Sequence, residues 1–551
     1  MYRKILIILG TRAKRKFLII AIFLFISMIL EVLGIGLLIP VLEIIFGEKN
    51  ETFSNFIELI GLNYNSKNLI VIFIIFFLVR TILIILITFY QNNFVAKILR
   101  FLGNDMMKRY LYADFEFHSQ SNSSKLLKNI LVEIHYLSDY LFALILLLVE
   151  SFLAFGIVLT LLIIEPLASS ITIFLIFIFS LLLNLFLKPK ISLWGNKREK
   201  LDSLISKTVN ENINAYKEIR FSNSMKFFLN KFDKLYLPKS KIYTYQKTVA
   251  IVPRFFLEFI AVISIFTFTL LMYFSGNLQS EILVKTSIFI TGAFRLLPSV
   301  SRIISSYQRL NFFKSSLDLL YNEVLSLNKY KIKYSQTFAL KKIKTLQLDS
   351  ISFKYPKSKK YIFKKFHFEI NENQIVGILG ESGSGKSTLI NIISGLLNPS
   401  FGEYKINGKI VKAPIKIGYL PQEIYLMDES IKKNIAFGED DSKIDENKII
   451  EVLKMTNSLK FVMDLEMGIN TIVGERGSNF SGGQIKRLAL SRALYYEPSI
   501  LVLDEVTSGL DDKNAIGIMK LLKKLKTKIP IILTTHDKSQ INFCDKIYNL
   551  K

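Results

Sequence analysis

Six long apolar runs constrain what this chain can fold into more than any other feature. They occupy residues 17–46, 69–90, 140–164, 167–187, 249–274 and 282–307. A helix needs about 20 apolar residues to cross the hydrocarbon core of a bilayer, and each run is about that length or longer. With 51% hydrophobic and 21% charged residues, the chain is also too apolar to stay disordered. The pattern predicts an α-helical membrane domain with six transmembrane helices.

The distribution of basic residues predicts how these helices are oriented. Six lysines and arginines and no acidic residue lie in the first sixteen positions, and residues 188–247 hold fourteen basic residues against five acidic ones. Because basic residues accumulate on the cytoplasmic side of membrane proteins, we expect a multi-pass chain with a cytoplasmic N-terminus. The first run contains Glu31 and Pro40 and is followed by no small-residue cleavage site, so we expect it to be retained as a span.

The net charge of +26 is unevenly divided along the chain. Residues 1–344 hold 41 basic and 21 acidic residues, whereas the remainder holds 30 and 24. The basic excess therefore lies among the apolar runs and not in a polar tail, which argues against a nucleic acid as partner. The single cysteine, Cys544, excludes a disulfide scaffold within one chain.

A change of pattern divides the chain into two domains. Residues 1–326 form the predicted membrane domain, and residues 327–342 form a polar linker. Residues 343–551 show short apolar strands that alternate with helical stretches. This alternation is typical of an α/β domain that binds a nucleotide.

Two hydrophilic stretches of the membrane domain look like helices that continue out of the bilayer. They cover residues 91–139 and 188–248, with short turns near residues 113–118 and 215–222. These turns could dock on the second domain. The alternative is a pair of solvated helical hairpins without a partner.

The second domain contains a glycine-rich loop between a strand and a helix. An apolar run at residues 374–379 leads into Gly-Glu-Ser-Gly-Ser-Gly-Lys-Ser-Thr, after which a helical pattern begins. In such a P-loop the backbone N–H groups surround phosphate oxygens, Lys386 reaches the β- and γ-phosphates, and Ser387 ligates Mg²⁺. The predicted nucleotide-binding residues of this loop are Gly380, Glu381, Ser382, Gly383, Ser384, Gly385, Lys386, Ser387 and Thr388.

A second apolar run ends in two adjacent carboxylates. Residues 499–503 read Ser-Ile-Leu-Val-Leu and precede Asp504 and Glu505. At the carboxyl edge of a parallel sheet, Asp504 can hold Mg²⁺ and Glu505 can orient and deprotonate a water. Two solvated acids at a strand end are the alternative. The P-loop upstream favours the catalytic interpretation.

Between the P-loop and these carboxylates lies a segment that resembles the signature motif of ATP-binding cassette (ABC) proteins. Residues 479–484 read Asn-Phe-Ser-Gly-Gly-Gln, with Phe480 where the family usually has leucine. Four further residues stand at the family's motif positions and in its order. They are Tyr355 for adenine stacking, Gln422 in the Q-loop, Asp511 in the D-loop and His536 as the switch histidine.

This resemblance extends over residues 343–551 and implies an α/β P-loop ABC ATPase domain with ATP and Mg²⁺ as cofactors. It implies Glu505 and His536 as catalytic residues, and Ser387, Gln422 and Asp504 as metal ligands. In the family, the signature of one cassette closes on the nucleotide held by the P-loop of another, so one cassette is half of a working pair. The resemblance therefore implies a homodimer in which each signature contributes Ser481, Gly482, Gly483 and Gln484.

Arginines inside the apolar runs are the main indication of a cargo. A charge near the bilayer centre costs at least about 2.5 to 3.5 kcal/mol, so an intramembrane arginine is a functional hypothesis by default. Guanidinium groups bind phosphate bidentately and keep their charge, which suits a phosphate-bearing substrate. The candidates are Arg80, Arg254, Arg295 and Arg302.

Structural pairing is the alternative for these arginines. Glu258 follows Arg254 by four residues, and Glu31 could answer another arginine. Arg80 and Arg295 have no acidic residue within two helical turns along the chain, which favours unpaired arginines at these two positions.

The segment after the first run shows the spacing of a short amphipathic helix. Its apolar residues recur at i, i+3, i+4 and i+7, and they are Phe53, Phe56, Ile57 and Ile60. Such a helix at the outer surface could bind a lipid tail, or it could cap its own domain.

The membrane segments resemble the bacterial lipid-linked oligosaccharide flippases that serve protein N-glycosylation and O-antigen assembly. The resemblance rests on residues 252–258, 294–298, 302–307 and 315–318. It implies flipping of an undecaprenyl-pyrophosphate-linked oligosaccharide from the cytoplasmic to the outer leaflet of the bacterial inner membrane. The four arginines would attract the pyrophosphate.

Other functions stay open at this point. An exporter of another amphiphile, such as lipid A, a peptide or a drug, would share the ATPase domain but needs fewer buried arginines. A membrane-tethered cassette ATPase that acts as a regulator or channel is a second possibility. The presence of Glu505 and the paired cytoplasmic helices favour an energised exporter.

Overall fold

The structure is a computed structural model that describes residues 2–10, 12–37, 66–164, 166–274, 279–330, 342–356, 358–411 and 415–550. The chain divides into two compact units. The first comprises Met1–Ala113 and Phe117–Lys331, and the second comprises Asp114–Glu116 and Ile332–Lys551.

Helices make up the ordered elements of the first unit in the described ranges. The first is the eight-residue helix α1 (Tyr2–Leu9). The long helices are α2 (Arg12–Gly36), α3 (Ser66–Leu111), α6 (Ile134–Ile164), α7 (Pro166–Asn214), α9 (Met225–Phe274) and α10 (Gln279–Lys329). Three short helices connect them: α4 (Phe115–Gln120), α5 (Ser123–Lys128) and α8 (Tyr216–Phe221). A single π-helical turn, Asn129–Glu133, joins α5 to α6.

Five helices are long and apolar enough to cross a membrane, judged by length and composition. They are Phe73–Leu111, Ser123–Ile163, Ser169–Asn214, Met225–Phe274 and Lys285–Lys329, and they include five of the six predicted spans. The first predicted span is described only as far as residue 37, where it contributes the shorter apolar helix Phe25–Gly34. The described residues thus contain five candidate spans, and the prediction of six is not confirmed.

The predicted extensions beyond the apolar runs are helical. Helix α7 continues to Asn214 and α9 starts at Met225, so the hydrophilic stretch between the fourth and fifth runs is mostly two continuous helices. The two predicted turns are not irregular loops. They contain the six-residue helices α4 and α8. In α8, for example, the Ile219 N–H donates to the Ala215 carbonyl oxygen.

Small residues allow the helices of the first unit to approach closely. Gly195 on α7 faces the backbone of α10, where an added Cβ would overlap the carbonyl oxygen of Phe312. The carbonyl oxygen of Gly195 also accepts a hydrogen bond from the Ser315 hydroxyl at 3.2 Å. The absence of a side chain at Gly195 therefore lets the two helix backbones come into direct contact.

The second unit contains two sheets. An antiparallel sheet has the order β2 (Phe363–Asn371), β1 (Thr345–Phe353), β4 (Phe401–Ile406) and β5 (Lys409–Ile410). A parallel sheet has the order β6 (Ile417–Leu420), β7 (Ile500–Asp504), β8 (Ile531–Thr535), β3 (Ile375–Gly380) and β9 (Lys546–Leu550). The inner strands β7 and β8 are buried at every residue, as expected for a parallel sheet covered on both faces.

Helices surround the parallel sheet. They are α11 (Lys386–Ile393), α12 (Ile431–Ile435), α13 (Glu446–Met455), α14 (Leu459–Met463), α15 (Gly482–Tyr495) and α16 (Asp512–Leu525). Helix α15 buries Leu488, Leu490 and Leu494 in the same apolar cluster as β7 and β8. The β-α-β alternation predicted for residues 343–551 is therefore observed.

Candidate functional site

The parallel sheet brings the predicted ATP-site motifs to one edge. Strands β6, β7, β8 and β3 are parallel neighbours, so their carboxyl ends lie side by side. Gln422 follows β6, Asp504 ends β7, and His536 follows β8. The P-loop follows β3. Ligands of α/β proteins bind at this edge of the sheet, and the topology explains why motifs more than 100 residues apart meet there.

The P-loop has the backbone conformation that a phosphate cradle requires. Gly383 and Gly385 adopt φ values of 86° and 99°, a left-handed region that other residues rarely enter. Lys386 begins α11, and its Nζ donates to the carbonyl oxygens of Gly380 at 2.7 Å and Glu381 at 3.1 Å. The ammonium group is thus held over the loop by the loop's own backbone.

One buried atom of the loop fits a phosphate oxygen. The Ser384 hydroxyl is buried and makes no hydrogen bond within the described residues. A buried polar atom without a partner is costly unless a ligand or water satisfies it. The hydroxyl, the lysine and the N-terminus of α11 together form a donor set that suits a nucleotide's phosphates.

Tyr355 lies beside this loop. Its hydroxyl is 3.2 Å from the Thr388 hydroxyl on the first turn of α11. Its ring meets the Phe353 ring edge-on, with the centroids 5.1 Å apart. The aromatic residue that the sequence assigns to adenine stacking is therefore next to the phosphate loop.

Asp504 is buried at the end of β7 and is oriented by β8. The Thr534 hydroxyl donates to Asp504 Oδ1 at 2.5 Å, as the strand register pairs the two residues. Burial raises the pKa of the Asp504 carboxyl, and the Thr534 hydrogen bond opposes part of that rise. A divalent cation would favour the ionised form. The site thus fits Mg²⁺ held by Asp504 together with Ser387 and Gln422, of which only Asp504 is a carboxylate.

Glu505 is held between the two other predicted functional residues. Gln422 Nε2 donates to Glu505 Oε2 at 2.8 Å, and His536 Nδ1 lies 3.4 Å from Glu505 Oε1. Glu505 itself has a φ of 52°, a left-handed conformation that is uncommon for a residue with a side chain. Residues held in sparsely populated backbone conformations cluster at functional sites. The predicted base, its glutamine and the switch histidine therefore form one contact group.

The signature residues occupy the start of α15. Ser481 caps this helix by accepting from the Gln484 backbone N–H, while the Gln484 side chain accepts from the Ser481 N–H. Lys486, two residues further on, donates to the backbone carbonyl of Ser508. Burial lowers the pKa of the Lys486 ammonium.

Asp511, the predicted D-loop residue, caps the next helix, α16, by accepting a hydrogen bond from the Asn514 N–H. Gly482 is exposed and Gly483 buried in this turn.

All four predicted cargo arginines are paired with a carboxylate. Arg80 Nη2 contacts Glu31 Oε2, and Arg295 Nη1 contacts Glu31 Oε1. The absence of a nearby acid along the chain thus misled the prediction, because Glu31 reaches both arginines from another helix, 49 and 264 residues away. The suggestion that Glu31 could answer an arginine is confirmed.

The other two arginines have separate partners. Arg254 Nε lies 2.8 Å from Glu258 Oε1 on the same helix, as the i, i+4 spacing predicts, and the arginine side chain is 70% exposed. Arg302 Nε lies 2.6 Å from Glu150 Oε1 on α6. The sequence reasoning missed Glu150. The signal was available, since an acid inside the third apolar run is as unusual as an arginine there.

The predicted lipid-tail residues lie outside the described residues. They are Phe53, Phe56, Ile57 and Ile60.

Thr534 was also missed by the sequence reasoning, although aligning the two parallel strands would have placed it opposite Asp504.

The fold and the site define a class of protein. A helical membrane unit with long extended helices is joined in one chain to a unit with a P-loop, a carboxylate pair after a buried strand, and a signature helix. This combination is typical of a membrane protein with an ATPase domain.

Comparisons with known proteins give the family. Residues 363–508 match the ABC transporter family, and residues 17–297 match the ABC transporter transmembrane region. The second match alone covers just over half of the chain. The protein belongs to the ABC transporter family, and its second unit is the ABC ATPase domain.

Several curated proteins are similar over part of this chain. The ATP-dependent lipid A-core flippase of Coxiella burnetii is 35% identical over 212 residues, which cover 37% of this chain and 36% of that protein. The putative multidrug export ATP-binding/permease protein YgaD of Bacillus subtilis is 30% identical over 259 residues, with coverage of 46% and 44%. ABC transporter B family member 21 of Arabidopsis thaliana is 34% identical over 209 residues, 37% of this chain and 16% of that protein. The matches thus span less than half the length of each relative.

A solved structure matches over nearly the whole chain. It is described as a bacterial Atm1-family ABC exporter with ATP bound, and it superposes with a TM-score of 0.78 at 18% identity. The match covers 98% of this chain and 94% of the other. At this identity the similarity shows the fold, which is that of an exporter with both a membrane domain and an ATPase domain.

Proposed function

We propose that two copies of this chain form an ATP-driven exporter that moves a phosphate-bearing amphiphile across the membrane, from the ATPase side to the opposite leaflet. The observation that carries the proposal is the Arg80–Glu31–Arg295 cluster, which places a residual positive charge among the apolar runs of the helical unit. The membrane match and the flippase and exporter relatives support movement of an amphiphile.

The ATPase domain supplies the energy in this proposal. Glu505 is positioned to accept a proton from an attacking water, and Gln422 and His536 fix its carboxylate. Lys386 would neutralise phosphate charge, and a bound Mg²⁺ ion would polarise the phosphates. Because each signature helix would close on the nucleotide of the other copy, we propose a homodimer with two composite sites.

The charges of the membrane unit support an anionic cargo. The four predicted cargo arginines form ion pairs with three carboxylates, those of Glu31, Glu150 and Glu258. These seven side chains therefore carry a net charge of +1 per chain. A neutral drug would form no ionic contacts with such a cluster, whereas a phosphate head group would accept charge-assisted hydrogen bonds from it. The excess doubles in a homodimer.

Two chemical classes of cargo fit this description. An undecaprenyl-pyrophosphate-linked oligosaccharide is the narrower hypothesis, and it rests on the resemblance of residues 252–258 and 294–307 to the oligosaccharide flippases. A lipid A-type glycolipid is the second candidate, favoured by the similarity to the lipid A-core flippase. Export of an amphiphile is common to both. In either case we propose the bacterial inner membrane as the location, with the N-terminus and the ATPase domain in the cytoplasm.

The arginine cluster can be tested by cargo-stimulated ATP hydrolysis in lipid nanodiscs. Arg80→Gln and Arg295→Gln are combined with Glu31→Gln, because removing the arginines alone would leave a buried carboxylate unpaired at a cost of about 3–5 kcal/mol. We expect the triple variant to lose stimulation by a polyprenyl diphosphate lipid. Undiminished stimulation at unchanged half-maximal concentration would refute the proposed cargo site.

A matched control removes a second bridged ion cluster. Glu211 contacts Lys207 Nζ at 3.6 Å and Lys231 Nζ at 3.8 Å, so Lys207→Gln, Lys231→Gln and Glu211→Gln make the same chemical changes at exposed side chains. We expect this variant to respond to the lipid as the wild type does.

A further inference from the structure

One carboxylate holds two arginines from different helices in the membrane unit. Glu31 on α2 uses Oε2 for Arg80 on α3 and Oε1 for Arg295 on α10. No oxygen is shared between the two guanidinium groups, so a single side chain spans the gap between two helices. Its side chain is 12% exposed, and those of Arg80 and Arg295 are 13% and 21% exposed. The cluster is therefore largely removed from solvent in this structure.

The arginines are also held by an aromatic ring. The Arg80 Cζ and Arg295 Cζ atoms lie 5.3 Å and 5.4 Å from the centroid of the Phe77 ring, which favours cations on its face. Phe77 lies one turn before Arg80 on α3. The two guanidinium groups thus converge on one ring and one carboxylate.

The cluster keeps donor capacity that Glu31 does not use. Each guanidinium group has five N–H donors, and Glu31 takes one nitrogen of each. Arg80 Nε is buried and has no hydrogen-bond partner within the described residues. An anion that entered between the arginines would find donors on both, and it would satisfy a group that Glu31 leaves unpaired.

We propose that Glu31 is an internal competitor of the cargo: its carboxylate occupies the two arginines when no cargo is bound, and only a head group with more than one negative charge displaces it. This deepens the proposed function and rests on it. Glu31 is a specificity-determining residue in this proposal. It selects a diphosphate head over a singly charged head, such as a phosphodiester or a carboxylate.

The selectivity follows from the charges. The cluster of two arginines and one glutamate has a net charge of +1. A monoanion that replaces Glu31 only exchanges one negative charge for another, and it leaves a carboxylate in the membrane unit without its partners, which is strongly unfavourable. A diphosphate brings two or three negative charges and bidentate oxygens for both arginines, which offsets the loss of the two Glu31 contacts.

The test compares two probes on the full-length protein in nanodiscs. Farnesyl diphosphate and farnesyl methyl phosphate share a tail, but the second is a phosphodiester with a single negative charge, whereas a phosphate monoester would carry nearly two. The half-maximal concentration for stimulation of ATP hydrolysis is measured for each probe. In the wild type we expect the diphosphate to act at a concentration at least tenfold lower than the diester. In Glu31→Gln, both arginines lose their competitor. The diester should then act at a tenfold lower concentration than in the wild type, and the ratio between the probes should fall toward one.

Two further variants keep the test decisive. Glu31→Asp retains the charge, but its carboxylate is one methylene shorter and reaches one arginine at a time, so its ratio should lie between those of the wild type and Glu31→Gln. If Glu31→Gln does not fold, the aspartate variant carries the test alone. Glu211→Gln, which removes the exposed carboxylate between Lys207 and Lys231, should leave the ratio unchanged.

The possible outcomes separate this inference from the proposed function. A wild type that responds to the diphosphate while Glu31→Gln and Glu31→Asp keep the wild-type ratio would overturn the competitor role and leave the cargo class intact. A wild type that responds equally to both probes would also overturn it. A wild type that responds to neither probe, but to an uncharged amphiphile, would overturn the proposed cargo class and this inference with it.

Discussion

At the scale of the residue, Glu505 is the proposed catalytic base of ATP hydrolysis. It contacts Gln422 at 2.8 Å and lies 3.4 Å from His536, so it is fixed by two partners that lie on different loops. We expect Glu505→Gln to lower ATP turnover by about 10²-fold or more, because an amide of the same size keeps the contact with solvent and neighbours but cannot accept the proton. Release of phosphate by the purified protein measures this directly.

The control for this variant is another carboxylate of the same domain. Glu403 lies on β4 and pairs with Lys405 at 2.8 Å at the surface of the antiparallel sheet. Glu403→Gln makes the same chemical change away from the P-loop, and we expect turnover within twofold of the wild type. If Glu505→Gln retained more than a tenth of the wild-type turnover, another group would have to be the base.

The sequence located residues that belong to a contiguous motif, but it did not identify ion-pair partners that are distant along the chain. The P-loop, the carboxylate pair and His536 were found from short motifs, and the structure places them along one sheet edge. The partner of Arg80 and Arg295 could not be assigned from the sequence, because Glu31 is separated from Arg295 by 264 positions and the helices that bring them together are set by packing. Only the Arg254–Glu258 pair has a local spacing that names its partner.

At the scale of the element, close helix crossing depends on glycine. Gly195 on α7 is buried against the backbone of Phe312 on α10, and a methyl group there would overlap a carbonyl oxygen that cannot rotate away. We expect Gly195→Ala to destabilise the membrane unit by about 1–3 kcal/mol, the usual cost of overpacking. The apparent melting temperature in detergent should fall.

The matched substitution is Gly103→Ala on α3. No atom lies within 4 Å of a Cβ at this position, so the substitution adds no clash. Alanine is favoured over glycine inside a helix by about 0.5–1 kcal/mol, and the variant should melt at the wild-type temperature or slightly above it. Equal melting temperatures for Gly195→Ala and Gly103→Ala would show that the crossing at Gly195 is not tight.

The hydrophobic pattern of the sequence predicted whether a segment is a helix or a strand, but it did not predict the residues at which each one begins and ends. The apolar runs predict where helices are buried in lipid, but α7 and α9 continue for 27 and 24 residues beyond their runs. Polar residues with high helix propensity can extend a helix past the end of its apolar run. The strand at residues 374–379 is shifted by one residue, to Ile375–Gly380. Hydrogen bonding to β8 and β9 decides that boundary.

At the scale of the whole molecule, two units of different chemistry share one chain. The basic excess of the first 344 residues belongs mainly to the loops that orient the helices, and a small part of it lies in the apolar runs. That small part is also the most informative about cargo, since it is where charge is costly. The family match accounts for the architecture, and the arginine cluster is the basis on which we propose an anionic cargo.

The central claim is that ATP hydrolysis moves a phosphate-bearing amphiphile from one leaflet to the other, and leaflet transfer in proteoliposomes tests it most directly. The measurement follows a fluorescent polyprenyl diphosphate lipid and the fraction of it that external dithionite quenches. With ATP added outside, where it reaches outward-facing ATPase domains, we expect the quenched fraction to fall with time in the wild type and to stay constant with Glu505→Gln. ATP hydrolysis by the wild type with no change in the quenched fraction of this lipid would contradict the account.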